Sequence, residues 1–159
     1  MQFPPDNRQP CAALPYGAAM LYRLLRPALF MLDAERAHRL TIDLLRLRTG
    51  TGFTPEPRWT PQLETVVGGL SFPNPVGLAA GFDKDAQVFG PALNMGFGFV
   101  EVGTLTPLPQ KGNPAPRLFR LVEDEAVINR MGFNNRGQEA ALGRLARRYR
   151  TRGIVGVNV

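Results

Sequence analysis

The sequence predicts an α/β fold built from parallel βαβ units, and three observations predict it. From residue 66 onward, short apolar runs alternate with helix-like segments, the pattern of strands joined by helical crossovers. The runs end in small and polar residues, as in Ala79-Ala-Gly-Phe-Asp-Lys-Asp85 and Gly103-Thr104. Apolar content of 44% and charge of 20% place the chain among globular proteins. At 159 residues, one domain with a sizeable core is the expectation.

The elements follow in order. Residues 1–19 hold four prolines and little periodicity and read as a disordered leader, with Met20 an alternative start. No uncharged apolar run reaches the ~18 residues a spanning helix needs, and a secretory n-region is lacking. Residues 20–50 read as two short helices. Leu21, Leu24, Leu25, Ala28 and Leu29 share one face of the first, with Pro27 marking a kink or a break. Asp33 is a natural N-cap for the second, Glu35 suits its first turn, and Gly50 supplies a stop. Its apolar stripe is Ala37, Leu40, Leu44 and Leu47, with Arg36, Arg39 and Arg46 around it. Such a pair suits the plane of a membrane interface or packs as a hairpin on the rest of the protein.

Residues 51–65, proline-bearing and aperiodic, form a linker. Gly68-Gly69 between two apolar pairs signals a hairpin. Val76–Ala80 is a strand, 84–95 a helix closed by Gly96, and Phe97–Val102 a second strand. A proline-rich excursion leads to Ala126-Val-Ile128 and the loop Asn129-Arg-Met-Gly-Phe-Asn-Asn135. Residues 137–150 form another helix and Gly153–Val159 a third strand.

Composition excludes several classes. One cysteine, Cys11, and one histidine, His38, leave no disulfide framework and no Cys/His metal centre. Neither G-x-G-x-x-G nor a Walker A sequence occurs. The net charge of +6 concentrates in Arg23–Arg48 and Arg144–Arg152. No zinc-finger spacing, RNP pattern or basic heptad accompanies it, so nucleic-acid binding is disfavoured, and the second cluster reads as a solvated helix face.

Lys84, Thr104, Asn129 and Asn158 all fall at or just past the C-terminal ends of predicted strands, where α/β folds place ligands. The Asn129–Asn135 loop holds three carboxamides, which carry donors and acceptors suited to a flat polar ring. A structural turn is the other reading.

At these residues a resemblance becomes specific. Gly77–Asp85, Glu101-Val-Gly-Thr-Leu-Thr-Pro107, Pro116-Arg-Leu-Phe-Arg120 and Asn129–Asn135, in that order, resemble the dihydroorotate dehydrogenases. The helical pair, with Leu32-Asp-Ala-Glu-Arg-Ala-His38, resembles their quinone-linked class 2. The resemblance implies the N-terminal part of a (β/α)8 TIM barrel, preceded by a small two-helix membrane-associated segment. It implies FMN at the mouth of the strands and oxidation of dihydroorotate to orotate in de novo pyrimidine (UMP) biosynthesis. Electrons then pass to a membrane quinone at the cytoplasmic face of a bacterial inner membrane. Ala80, Gly81, Phe82, Asp83, Lys84, Thr104 and Asn158 resemble the cofactor contacts. Lys84 with Asn129, Arg130, Met131, Gly132 and Phe133 resembles the substrate contacts, and His38 and Arg120 lie near the quinone path. The family's catalytic serine sits on a later loop, expected beyond Val159, so the chain by itself is expected to be inactive. A soluble-class relative or another FMN barrel is the alternative, with a non-catalytic basic membrane-binding module further behind.

The chemistry fits. A lysine supplies positive charge where a carboxylate binds and where negative charge grows on a reduced flavin. Plainer roles stand beside these: Lys84 as a surface residue, Asp83 and Asp85 as helix caps, and His38 as a hydrogen-bonded or exposed residue. Arg117 and Arg120 read equally as solvated strand-edge residues, and Trp59 as a packing anchor.

Overall fold

The computed structural model describes residues 16–50, 61–148 and 153–159, without the side chains of 16–19 and 48–50. The expected leader up to residue 15, most of the linker and Trp59 lie outside the described residues. The chain divides into two compact units, Met1–Asp33 and Ala34–Val159. The expected helical pair is thereby parted, its first helix in one unit and its second in the other.

The first unit contributes α1 (Tyr16–Met31), which begins inside the stretch read as leader and runs through Pro27 as one helix. Leu21, Leu24, Leu25 and Leu29 are exposed, and the Arg26 guanidinium stacks 4.9 Å over the Phe30 ring.

The second unit opens with α2 (Ala34–Gly50), which packs on the helix Phe89–Asn94 and the strand Leu118–Leu121. Its orientation differs from the expectation. Ile42 is buried and Glu35, His38 and Leu45 are half-buried; of the expected stripe Ala37 is half-buried, whereas Leu40, Leu44 and Leu47 are exposed. The cause is directional bonding on the inner face. Glu35 and His38 each hold a partner across the unit, and these bonds set the helix rotation, which leucine burial alone does not.

A 3-10 turn (Pro61–Leu63) leads into β1 (Thr65–Val67) and β2 (Leu70–Phe72), an antiparallel hairpin as the Gly-Gly signal predicts. Gly68 and Gly69 both take positive φ, +58° and +80°, which a two-residue hairpin turn of this hand requires. The Asn74 side chain then accepts from the Val76 amide at 2.9 Å, turning the chain into the main sheet.

That sheet is parallel, with β3 (Gly77–Leu78), β4 (Phe99–Val102) and β7 (Ile154–Val157) in the order β3-β4-β7. Alternate residues of β4 explain its burial. Val100 and Val102 are fully buried on the helix side with Ala92, Leu93, Leu105 and Ala141. Burial of a valine stabilises by roughly 1.5–3 kcal/mol.

Three elements depart from the sequence reading. The helix expected over 84–95 is only α3 (Phe89–Asn94). Ala86 has φ +54°, and the Asp83 carboxylate draws the Gln87 and Val88 amides into a turn, which competes with helix. The helix expected over 137–150 is α4 (Gln138–Leu145), with 149–152 outside the described residues. After the proline-rich excursion, the strand expected before Asn129 is β6 (Ala126–Asn129), but it pairs antiparallel with β5 (Leu118–Leu121) in a hairpin that the sequence reading lacked. Asn129 therefore ends a hairpin strand, not a strand of the parallel sheet. Arg144, read as solvated, donates to the Asp85 carbonyl at 2.8 Å.

Candidate functional site

The loop after β3 starts one wall. Gly81 takes φ +104°, its amide donates to the Gly103 carbonyl at 2.7 Å, and a Cβ there would meet open space. Lys84 folds back so that Nζ donates to the Gly81 carbonyl at 2.5 Å. Asp83 lies beneath, 1% exposed. Its carboxylate accepts from the amides of Gln87 at 2.6 Å and Val88 at 2.7 Å, and its carbonyl accepts from the Gly103 amide at 3.0 Å.

The loop after β4 lies alongside. Gly103 has φ +108°, and a Cβ there would come within 2.5 Å of the Asn158 carbonyl. Thr104 Oγ1 donates to Asn158 Oδ1, tying this loop to the end of β7, and the Leu105 amide bonds the Asn158 carbonyl at 2.9 Å. Asn158 so supports Thr104 from behind.

The hairpin and the Asn129 loop form the opposite wall. Leu118 pairs with Asn129 and Arg120 with Val127, so these four share one side of the hairpin. The loop is sewn to residues 110–113. Gln110 and Asn135 exchange backbone hydrogen bonds, Gln110 Nε2 donates to the Gly132 carbonyl at 2.8 Å, and Asn113 Nδ2 donates to the Arg130 carbonyl at 2.8 Å. Asn135, 7% exposed, bonds Thr106 and the Gly137 amide.

Between the walls opens a cleft of about 730 Å³. It draws lining from five segments: His38 of α2, Ala80–Phe82 with Lys84, Gly103–Thr104, Asn113 with Leu118, and Val127 with Asn129–Asn134. A smaller cleft of about 390 Å³ lies under α2 and shares His38, Phe82, Lys84, Met131 and Asn134 with the first. Asn134 Oδ1 is buried without a partner among the described residues. The dihydroorotate dehydrogenase family profile matches residues 62–159. The chain belongs to the dihydroorotate dehydrogenase family.

Relatives carry the likeness further. A "dihydroorotate dehydrogenase (quinone)" of Novosphingobium aromaticivorans is 61% identical over 143 residues, 87% of this chain and 40% of the relative. One of Brucella ovis is 60% identical over 134 residues, 84% of this chain and 36% of the relative. Among solved structures, ligand-free DHODH from Eimeria tenella superposes with a TM-score of 0.71 at 45% identity, covering 79% of this chain and 36% of that one. The same enzyme in complex with ferulenol gives 0.63 at 44%, covering 75% and 34%. The chain spans 36–40% of the length of these sequence relatives.

In this family member the cleft gathers most of the residues singled out from sequence. Ala80, Gly81, Phe82, Lys84, Thr104, Asn129, Arg130, Met131, Gly132, Phe133 and His38 all line it. Asp83 lines only the smaller cleft, and Asn158 lines neither; both support the larger one through hydrogen bonds. Arg120 lines neither cleft, although it shares a hairpin side with Leu118 and Val127, which do line one.

Sequence reasoning missed the pair that fastens α2. Arg117 donates to Glu35 through Nε at 2.9 Å and Nη2 at 2.6 Å, with side chains 12% and 16% exposed. The partners lie 82 positions apart, and the only signal was an arginine immediately before an apolar strand.

The electrostatics follow from burial. His38 Nε2 donates to the Phe82 carbonyl at 2.8 Å and the two rings meet edge to face, 5.3 Å between centroids. Burial holds the imidazole below its usual 6.5, Lys84 pushes the same way, and the Phe82 carbonyl opposes. Burial likewise lowers Lys84 from its usual 10.5, opposed by Glu35 and assisted by Arg117. The Glu35 bond holds Arg117 firmly protonated.

Proposed function

We propose that this chain forms the flavin- and substrate-cradling wall of a quinone-linked dihydroorotate dehydrogenase, which oxidises dihydroorotate to orotate in pyrimidine biosynthesis. The observation that carries the reading is the single cleft into which three sequence-distant motifs converge: Ala80–Lys84, Gly103–Thr104 and Asn129–Phe133. The residues fit FMN. The open space at Gly81 admits a flat ring against the backbone, Lys84 supplies a cation beside it, and the volume suits a ligand of that size. FMN supplies the hydride-accepting ring when bound.

The chain's own residues do the rest. Ala80, Gly81, Phe82 and Thr104 shape the flavin side, with Asp83 and Asn158 fixing the backbone beneath them. Asn129 and the Arg130–Phe133 loop face the dihydroorotate ring, where carboxamides match its donors and acceptors. Lys84 meets both ligands, its charge directed at the substrate carboxylate. Burial of Lys84 strengthens such a contact, on the order of 1.5–3 kcal/mol. No residue of the cleft is assigned to take the substrate proton. Ser71 is the chain's one serine, and it stands on β2, donating to Glu64.

The remaining proposals concern the larger setting. The parallel β3-β4-β7 order suits the opening strands of a (β/α)8 barrel. The exposed leucines of α1 and of the outer face of α2 suit peripheral attachment to a membrane, there meeting a quinone at the cytoplasmic face. No described helix is long and apolar enough to cross a membrane. His38, at the α2 side of the cleft, and Arg120 are proposed to lie on the quinone path.

The test is flavin and orotate titration of the purified chain. Flavin fluorescence is quenched on binding, and orotate binds the flavin-loaded chain about tenfold to a hundredfold more weakly in Lys84→Met, matching the contact energy above. Absence of quenching at millimolar flavin, or equal orotate affinity in the variant, overturns the proposal.

A further inference from the structure

Arg117 reaches three segments at once. Besides its two-pronged bond to Glu35, its Nη1 donates to the carbonyls of Lys111 at 2.7 Å and Asn113 at 2.9 Å. Its own carbonyl accepts from the Arg130 amide at 2.8 Å. Arg117 so joins α2, the 110–113 segment and the Asn129 loop. Glu35 stands three positions before His38, on the same inner face of α2. His38 in turn contacts Phe82 by one hydrogen bond and one ring edge, and it lines both clefts.

The His38 hydrogen bond, its ring contact and the burial of Ile42 hold the inner face of a helix that exposes its leucines, but none of them by itself demands one orientation. The two-pronged ionic bond does, because the planar guanidinium matches a carboxylate in one orientation only. We infer that Glu35 and Arg117 are a positioning pair that locks the rotation of α2 and so holds His38 against Phe82 at the mouth of the ligand cleft. The role deepens the functional reading above and rests on it for its purpose, though not for its geometry. Neither residue lines the larger cleft, although Glu35 lines the smaller one, so both act on the larger cleft through His38 and the loop they hold.

His38 is the chain's single histidine, so its imidazole resonances are unambiguous by NMR. The groups that act on it are Lys84, Glu35, Asp83 and the Phe82 carbonyl. The wild-type titration midpoint falls below 6.5, because burial dominates. Two mild variants separate positioning from charge. Glu35→Gln keeps shape and removes charge; Arg117→Lys keeps charge and removes the fork. If the pair positions His38, both variants release the ring and move its midpoint upward toward 6.5. If Glu35 acts only through space, Glu35→Gln moves the midpoint downward, since its charge raises the value, and Arg117→Lys leaves it unchanged. A merely structural pair leaves both unchanged. Any result other than an upward move in both overturns the inference. Flavin quenching by the wild-type chain is read separately, so a failed ligand site and a failed positioning pair remain distinguishable.

Discussion

Asp83 illustrates how one side chain sets a loop. It is almost wholly buried, yet both carboxylate oxygens are satisfied by the Gln87 and Val88 amides, while its backbone carbonyl accepts from the Gly103 amide. Burial raises its value above the usual 3.8, with the Gln87 and Val88 amides opposing. The sign follows. Between 3.8 and the raised folded value, the folded state binds more protons than the unfolded one, so this contribution to stability falls as pH rises through that window. Asp83→Asn cannot titrate and offers one amide a donor in place of an acceptor. It should cost about 1–3 kcal/mol at neutral pH and flatten the slope in that window. Urea melts from pH 3.5 upward check this; an unchanged slope refutes it. Asp83 was readable as a cap from composition, since Asp before a helix commonly caps. That it caps a turn and not the helix itself depended on Ala86, whose positive φ no sequence pattern announces.

Strands and hairpins divide by how local their causes are. The β1–β2 hairpin and the three parallel strands were legible because Gly-Gly and the apolar runs act within a few residues. The β5–β6 hairpin was not, because Leu118–Leu121 and Ala126–Asn129 are short and stand among prolines and charges. The clamp on α2 was hidden for the same reason at longer range. The rotation of α2 was misjudged because its strongest apolar stripe is not its buried face. Close packing between the segments that lead into β3 and β4 gives a sharper test. A Cβ on Gly98 would lie 2.1 Å from the Asn74 carbonyl, in the turn that starts β3. Backbone yields less readily than a side-chain tip, so Gly98→Ala should destabilise by roughly 1–3 kcal/mol through overpacking. Denaturant melts should show a lower midpoint, and an unchanged midpoint would mean the turn shifts freely.

At the scale of the molecule, the chain presents a polar-and-apolar cleft on one side of α2 and bare leucines on the other. If the outer leucines meet lipid, replacing Leu44 and Leu47 by Gln removes two buried aliphatic groups. Each contributes on the order of 1.5–3 kcal/mol, a loss of at least tenfold per residue in partition to vesicles. Flotation with phospholipid vesicles measures it, and His38 should titrate as in the wild type. Equal flotation of the double variant would remove the membrane role of this face. The site was legible in sequence as a set of motifs, but their meeting in one cleft depended on the fold. The two faces of α2 interleave in sequence without sharing a residue: Glu35, His38 and Ile42 against Leu40, Leu44 and Leu47. Substitutions on the outer face and on the inner face can accordingly drift independently over evolutionary time. If the outer face meets lipid, a lineage can retune that contact through positions 40, 44 and 47 while leaving the histidine where it is.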